Sequence, residues 1–156
     1  MGRPRSGASA VTAGTTARGP GGPVEGIERM APVAWPDGRD FAFTIFDDTD
    51  NATVGNVAPV YELLADLGLH TTKSVWALRG SGAAVIGGQT CEDEDYRAWT
   101  LELQAAGFEI ASHGAASETS ARDRVIEAMD RFRDIYGHDP CSLANHADCA
   151  ESIYHR

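Results

Sequence analysis

Basic charge is scarce where this chain looks foldable. The 156 residues hold 13 Lys+Arg against 23 Asp+Glu. Five of the arginines (3, 5, 18, 29 and 39) fall in the first 40 residues, which carry +1, leaving −11 for the rest. Such a body has no basic stripe and repels nucleic acid and anionic membrane. Neutral, cationic or metal-bridged ligands suit it better. No apolar run approaches the length of a membrane span. The N-terminal arginines are followed by no apolar core of a signal peptide, so the cytoplasm is the default compartment. Cys91, Cys141 and Cys149 are odd in number and lack metal-type spacing. That excludes a disulfide framework and predicts reduced thiols.

Apolar periodicity is missing from residues 1–29, which are rich in Gly, Arg, Ala, Thr and Pro. A segment of that kind buries too little surface to offset the entropy of ordering, so a disordered tail is expected over residues 1–37. A turn is expected at Pro36-Asp37-Gly38. The foldable domain is expected over 38–156.

Within that domain strands and helices alternate. The apolar run Phe41–Phe46 reads as a buried strand, being aromatic, β-branched and too short for a helix. Residues 56–67 place Val57, Val60, Tyr61, Leu64 and Leu67 on one helical face, with Gly68 as the stop. Residues 72–78 read as strand two. After a Gly-rich loop a helix is expected from about Glu92 to Ala106, with Asp93, Glu94 and Asp95 at its solvated, positive end. Gly107 ends it, and residues 108–112 form strand three. Thr119 or Ser120 is expected to cap a helix to Tyr136, closed by Gly137. Residues 142–145 read as a short fourth strand. Trp99 and Met129 sit at core spacing. The order β-α-β-α-β-α-β implies an α/β fold with parallel (β/α) units, either an open sheet or part of a barrel.

Chemistry-bearing residues recur where these strands end. Asp47 and Asp48 close strand one, His113 follows strand three, and Asn145 and His146 follow strand four. Parallel strands bring such positions to one rim, where α/β proteins build their sites. Carboxylate oxygen and imidazole nitrogen are the donors that zinc or a similar divalent ion takes. Adjacent carboxylates repel unless a cation, a shared proton or solvent relieves them. The alternative for Asp47 and Asp48 is a solvated acidic turn, and for His146 a loop histidine facing water. His70, His138 and His155 are assigned no task.

The segment Phe43-Thr44-Ile45-Phe46-Asp47-Asp48, the helix from Val57 to Gly68, the strand to Trp76, and Glu109-Ile110-Ala111-Ser112-His113 together resemble the polysaccharide deacetylase superfamily, the nodulation-protein-B homology domain. The resemblance spans roughly residues 38–156. It implies a distorted (β/α) barrel, here only its N-terminal part, and a divalent ion, usually zinc. It also implies hydrolysis of N- or O-acetyl groups on carbohydrate, a carbon–nitrogen bond other than a peptide in the amide case. Asp47 would be the general base, with Asp48 and His113 metal ligands. Three positions depart from the family pattern. Thr49 stands for the usual glycine. Ser117 stands for the usual second histidine, which leaves His146 to supply the third ligand. The arginine-proline motif gives way to Ala144–Asp148, and the family's last catalytic histidine would lie beyond Arg156.

Two other functions fit parts of the pattern. Asp48-Thr49-Asp50 after an apolar strand resembles the opening of haloacid-dehalogenase-like phosphatases, with Asp48 as nucleophile, Asp50 as acid/base and Mg²⁺. That reading leaves His113 without a role. The serine at 117 and the missing acid fit a degenerate or truncated domain that binds without turnover.

Overall fold

The computed structural model describes residues 34–82 and 86–152, so residues 1–33 of the tail expected over 1–37, and His155, lie outside the described residues. The chain divides between Asp40 and Phe41 into two units. In the first, Pro36–Gly38 forms a 3-10 turn closed by Arg39 N donating to Pro36 O at 3.2 Å. This is the turn that the Pro-Asp-Gly sequence predicts.

The second unit is a small α/β assembly. Three parallel strands, β1 (Phe46–Asp47), β2 (Thr72–Val75) and β3 (Glu109–Ser112), lie side by side in that order. Helix α1 (Val54–Asp66) links the first pair, α2 (Glu94–Ala105) the second, and α3 (Arg122–Tyr136) follows β3. Register pairs Asp47 with Lys73, and Lys73 with Ile110. All four residues of β2 are buried, as expected of a parallel strand covered on both faces.

Local signals explain most boundaries. Thr53 and Asn56 form a reciprocal capping box that starts α1 two residues before the apolar period suggests. Gly137 takes φ 79° at the end of α3, a left-handed conformation for which glycine has no steric cost. The core gathers Tyr61, Val75, Leu78, Tyr96, Leu103, Phe108, Ile110, Phe132 and Tyr136. Trp99 and Met129 pack against it, as their spacing predicts. Cys91 and Cys149 are buried free thiols and Cys141 is an exposed one.

Three expectations require correction. The run Phe41–Phe46 is not a buried strand: only Phe46 and Asp47 pair, and Phe41 and Phe43 are 77% and 76% exposed. Composition gave the run strand propensity, but pairing needs a neighbour, and ahead of Phe46 the bond to β2 is Ile45 O accepting from Thr72 N. The fourth strand shrinks to a single parallel bridge between Ser112 and Leu143. Helix α3 starts from Ala121 with no side-chain cap. Thr119 Oγ1 instead accepts from Ala150 N, and Ser120 N donates to Glu151 Oε1. Among the described residues no helix is long and apolar enough to cross a membrane.

Candidate metal centre

The C-terminal rim of the sheet carries the site. His113 directly follows β3, and its backbone N donates to Val75 O at 2.9 Å, so the strand ladder itself fixes where the imidazole begins. His146 comes from the bridge segment, which Ala144 N ties to Ser112 O at 3.0 Å. Asp50 arrives on the loop after β1. That loop turns by the Asp50 N–H donating to Asp48 Oδ1 at 3.0 Å, a side-chain turn typical of aspartate. Asn51 then adopts φ 57°, which asparagine tolerates better than most residues. The loop lies close to residues 87–89: Asn51 N donates to Gly87 O and Gln89 N to Ala52 O. A Cβ at Gly88 would stand 3.0 Å from Ala52 O, so glycine permits this approach. Thr49, the residue in place of the usual glycine, is fully buried and its hydroxyl hydrogen-bonds the Tyr96 hydroxyl at 2.9 Å.

These elements bring one atom each from Asp50, His113 and His146 within 4.8 Å of one another. His113 Nε2 is 3.1 Å from Asp48 Oδ1 and 3.5 Å from Asp50 Oδ1, and His146 Nε2 is 3.1 Å from Asp50 Oδ1. Tetrahedral bonds of about 2.0–2.1 Å to a shared ion put donor atoms about 3.3 Å apart. The separations found bracket that value. None of the three facing atoms, Asp50 Oδ1, His113 Nε2 and His146 Nε2, has a hydrogen-bond partner, so these are close approaches without aligned hydrogen bonds. Buried polar atoms are normally partnered. Among the described residues seven buried side-chain polar atoms are not, and five belong to Asp50, Trp76, His113 and His146. Trp76 is completely buried and lies against both imidazoles, at centroid distances of 5.7 and 5.5 Å. Three of these five atoms, Asp50 Oδ1, His113 Nε2 and His146 Nε2, face one another, and their N₂O donor set suits a divalent ion.

Charge points the same way. Burial, reinforced by His146 and Lys73, lowers the His113 pKa despite Asp48 and Asp50, which raise it. The neutral imidazole that a metal requires is thus favoured. Three carboxylates meet at this rim against one fully buried ammonium, Lys73: Asp47 pairs with it, while Asp48 and Asp50 approach the imidazoles. With neutral imidazoles the surplus is two negative charges, which one divalent ion balances.

Asp47, expected as a general base, has its Oδ2 engaged twice. Lys73 Nζ lies 2.9 Å away and the Tyr61 hydroxyl donates to the same oxygen at 2.9 Å. The Lys73 contact is an ion pair whose angle falls outside hydrogen-bond geometry. Desolvation lowers the Lys73 pKa, opposed by Asp47. Burial and the neighbouring Asp47 carboxylate push the Tyr61 hydroxyl upward. Asp48, expected as a ligand, approaches His113 but not His146, accepts from Asp50 N and is 63% exposed. His113 and His146 do meet, with ring centroids 5.3 Å apart. Ser117 is half-buried, beside Gly80. His70 and His138 are exposed, on Phe108 and Gln104 respectively. The residue that sequence reasoning did not place in the metal set is Asp50, and its spacing from Asp48 in Asp48-Thr49-Asp50 was the available signal.

No family model matches the chain, and neither a curated protein nor a solved structure matches it.

Proposed function

We propose that this protein is a metal-dependent hydrolase of the polysaccharide-deacetylase kind, removing acetyl groups, as amide or ester, from a carbohydrate or related small molecule. The observation that carries the reading is the trio Asp50, His113 and His146, whose facing atoms are buried, mutually close and otherwise unpartnered. These three residues would hold the ion, zinc being the one the resemblance favours. When bound, a divalent ion polarises a carbonyl and makes its water more acidic. The chain's own groups have separable tasks. Asp50 is shared between both imidazoles and fixes their spacing. Asp48, exposed to solvent and bonded through Oδ1 to Asp50 N, would contact substrate or complete the ligand set. Asp47 is held through Oδ2 by Lys73 and Tyr61, leaving Oδ1 as the oxygen that accepts a proton. In this reading the parallel sheet is one part of a distorted (β/α) barrel.

The test uses the full chain reconstituted with zinc and offered N-acetylated chito-oligosaccharides and O-acetylated xylo-oligosaccharides, with released acetate measured. Acetate release that needs the ion and disappears in Asp50→Ala is the expected result. Ion uptake without release from either substrate class would favour a non-catalytic binding domain, which Ser117 in place of histidine already suggests.

A further inference from the structure

His146 reaches the centre from a segment whose backbone pairs with the sheet, among the described residues, through one bridge, so something else must hold its ring. Part of the answer is a clamp. Ala150 N donates to Thr119 Oγ1 at 3.0 Å, and Ser120 N donates to Glu151 Oε1 at 2.9 Å. These bonds tie the residues after His146 to the loop after His113. The other part is Cys149. This residue is 4% exposed, and its sulfur lies 3.4 Å from His146 Nδ1, the ring nitrogen other than the Nε2 that faces Asp50.

The tautomer makes this contact matter. An imidazole that offers the Nε2 lone pair to an ion carries its proton on Nδ1, and a buried N–H needs an acceptor. We propose that Cys149 is the positioning residue for His146: its sulfur accepts the Nδ1–H, locking the ring in the tautomer and orientation that aim Nε2 at Asp50 and His113. The inference rests on reading the centre as a metal site. His113 provides a contrast, since its own Nδ1 has no hydrogen-bond partner among the described residues. Of the two imidazoles, His146 is the one oriented through a cysteine.

Co²⁺ titration of wild type, Cys149→Ala and Cys149→Ser tests this, followed by visible absorption and by competition with a chelator. Serine keeps an acceptor at the same place and alanine removes it. Loss of an outer-shell partner costs about 10–100-fold in metal affinity, which is the expected loss for alanine, and serine should recover most of it. Long-range ¹H–¹⁵N spectra of the zinc-loaded wild type should show His146 protonated at Nδ1. That readout stands even if the alanine variant folds poorly. Equal affinity of Cys149→Ala and wild type, or equal loss in both variants, would overturn the role of Cys149. So would a thiolate-to-cobalt charge-transfer band, which would make the sulfur a ligand. A wild type that takes up no Co²⁺ would instead remove the metal centre itself, and the proposal with it.

Discussion

Zinc uptake near one equivalent in the wild type is expected to collapse in His113→Ala, His146→Ala and Asp50→Ala. Each removes one of the three facing donors, so the loss should exceed the 10–100-fold seen on removing an outer-shell partner, and at least about a hundredfold is expected for each. Asp48→Ala is the informative comparison. Its carboxylate accepts from Asp50 N, approaches no imidazole but His113 and is largely in water, so a loss of about tenfold or less is expected, an exposed charge being well screened. The family resemblance implies the reverse order, with Asp48 as the ligand. Elemental analysis after dialysis, with chelator competition for the dissociation constants, separates the two arrangements. Full zinc binding by Asp50→Ala with none by Asp48→Ala would discard the trio described here. Because His113 is almost fully buried, His113→Gln should accompany the alanine variant: it fills similar volume and offers no imidazole lone pair.

Much of this architecture is written locally, and that part is readable in the sequence. Strands β2 and β3 and all three helices lie within a few residues of where apolar period and glycine stops put them, β2 ending at Val75 rather than Leu78, because those signals act over one turn or one pleat. What fails is whatever depends on a distant neighbour. Phe41–Ile45 has strand chemistry, yet almost nothing pairs with it. Residues 142–145 reach β3 through a single bridge. The site divides along the same line. His113 and His146 could be expected at one rim, since parallel strands place their ends together. Asp50 could not, because its loop is routed by contacts with Gly87 and Tyr96, each more than 30 residues away. The capture of Asp47 was likewise hidden in the parallel register that sets it opposite Lys73. One clue was present. Lys73 is the chain's only lysine, and it sits inside an otherwise uncharged strand, where an ammonium demands a counter-ion.

That pair gives the second large effect, and its two halves should be unequal. Asp47→Asn keeps the shape of the side chain but leaves a completely buried ammonium with no opposite charge in contact, a change of the kind that costs about 3–5 kcal/mol. Lys73→Met removes the buried charge at similar volume and leaves a carboxylate that is 28% exposed and still accepts from the Tyr61 hydroxyl. Less than half of that cost is expected, because solvent reaches the charge left behind and methionine packs well in the vacated space. Urea unfolding of the metal-free protein measures both. Equal losses would mean that the ion pair is not what Asp47 contributes to the fold. The lone lysine also permits a direct titration, since its side-chain NMR signal has no other lysine to overlap. Its midpoint should lie below the ordinary 10.5 in the wild type, because burial outweighs Asp47, and lower still in Asp47→Asn. Over the interval between the folded midpoint and 10.5 the unfolded chain binds more proton than the native one, so this group makes stability rise with pH there. The interval should widen in Asp47→Asn and vanish in Lys73→Met. A wild-type midpoint at or above 10.5 would show that solvent reaches Lys73 or that Asp47 overcomes its burial.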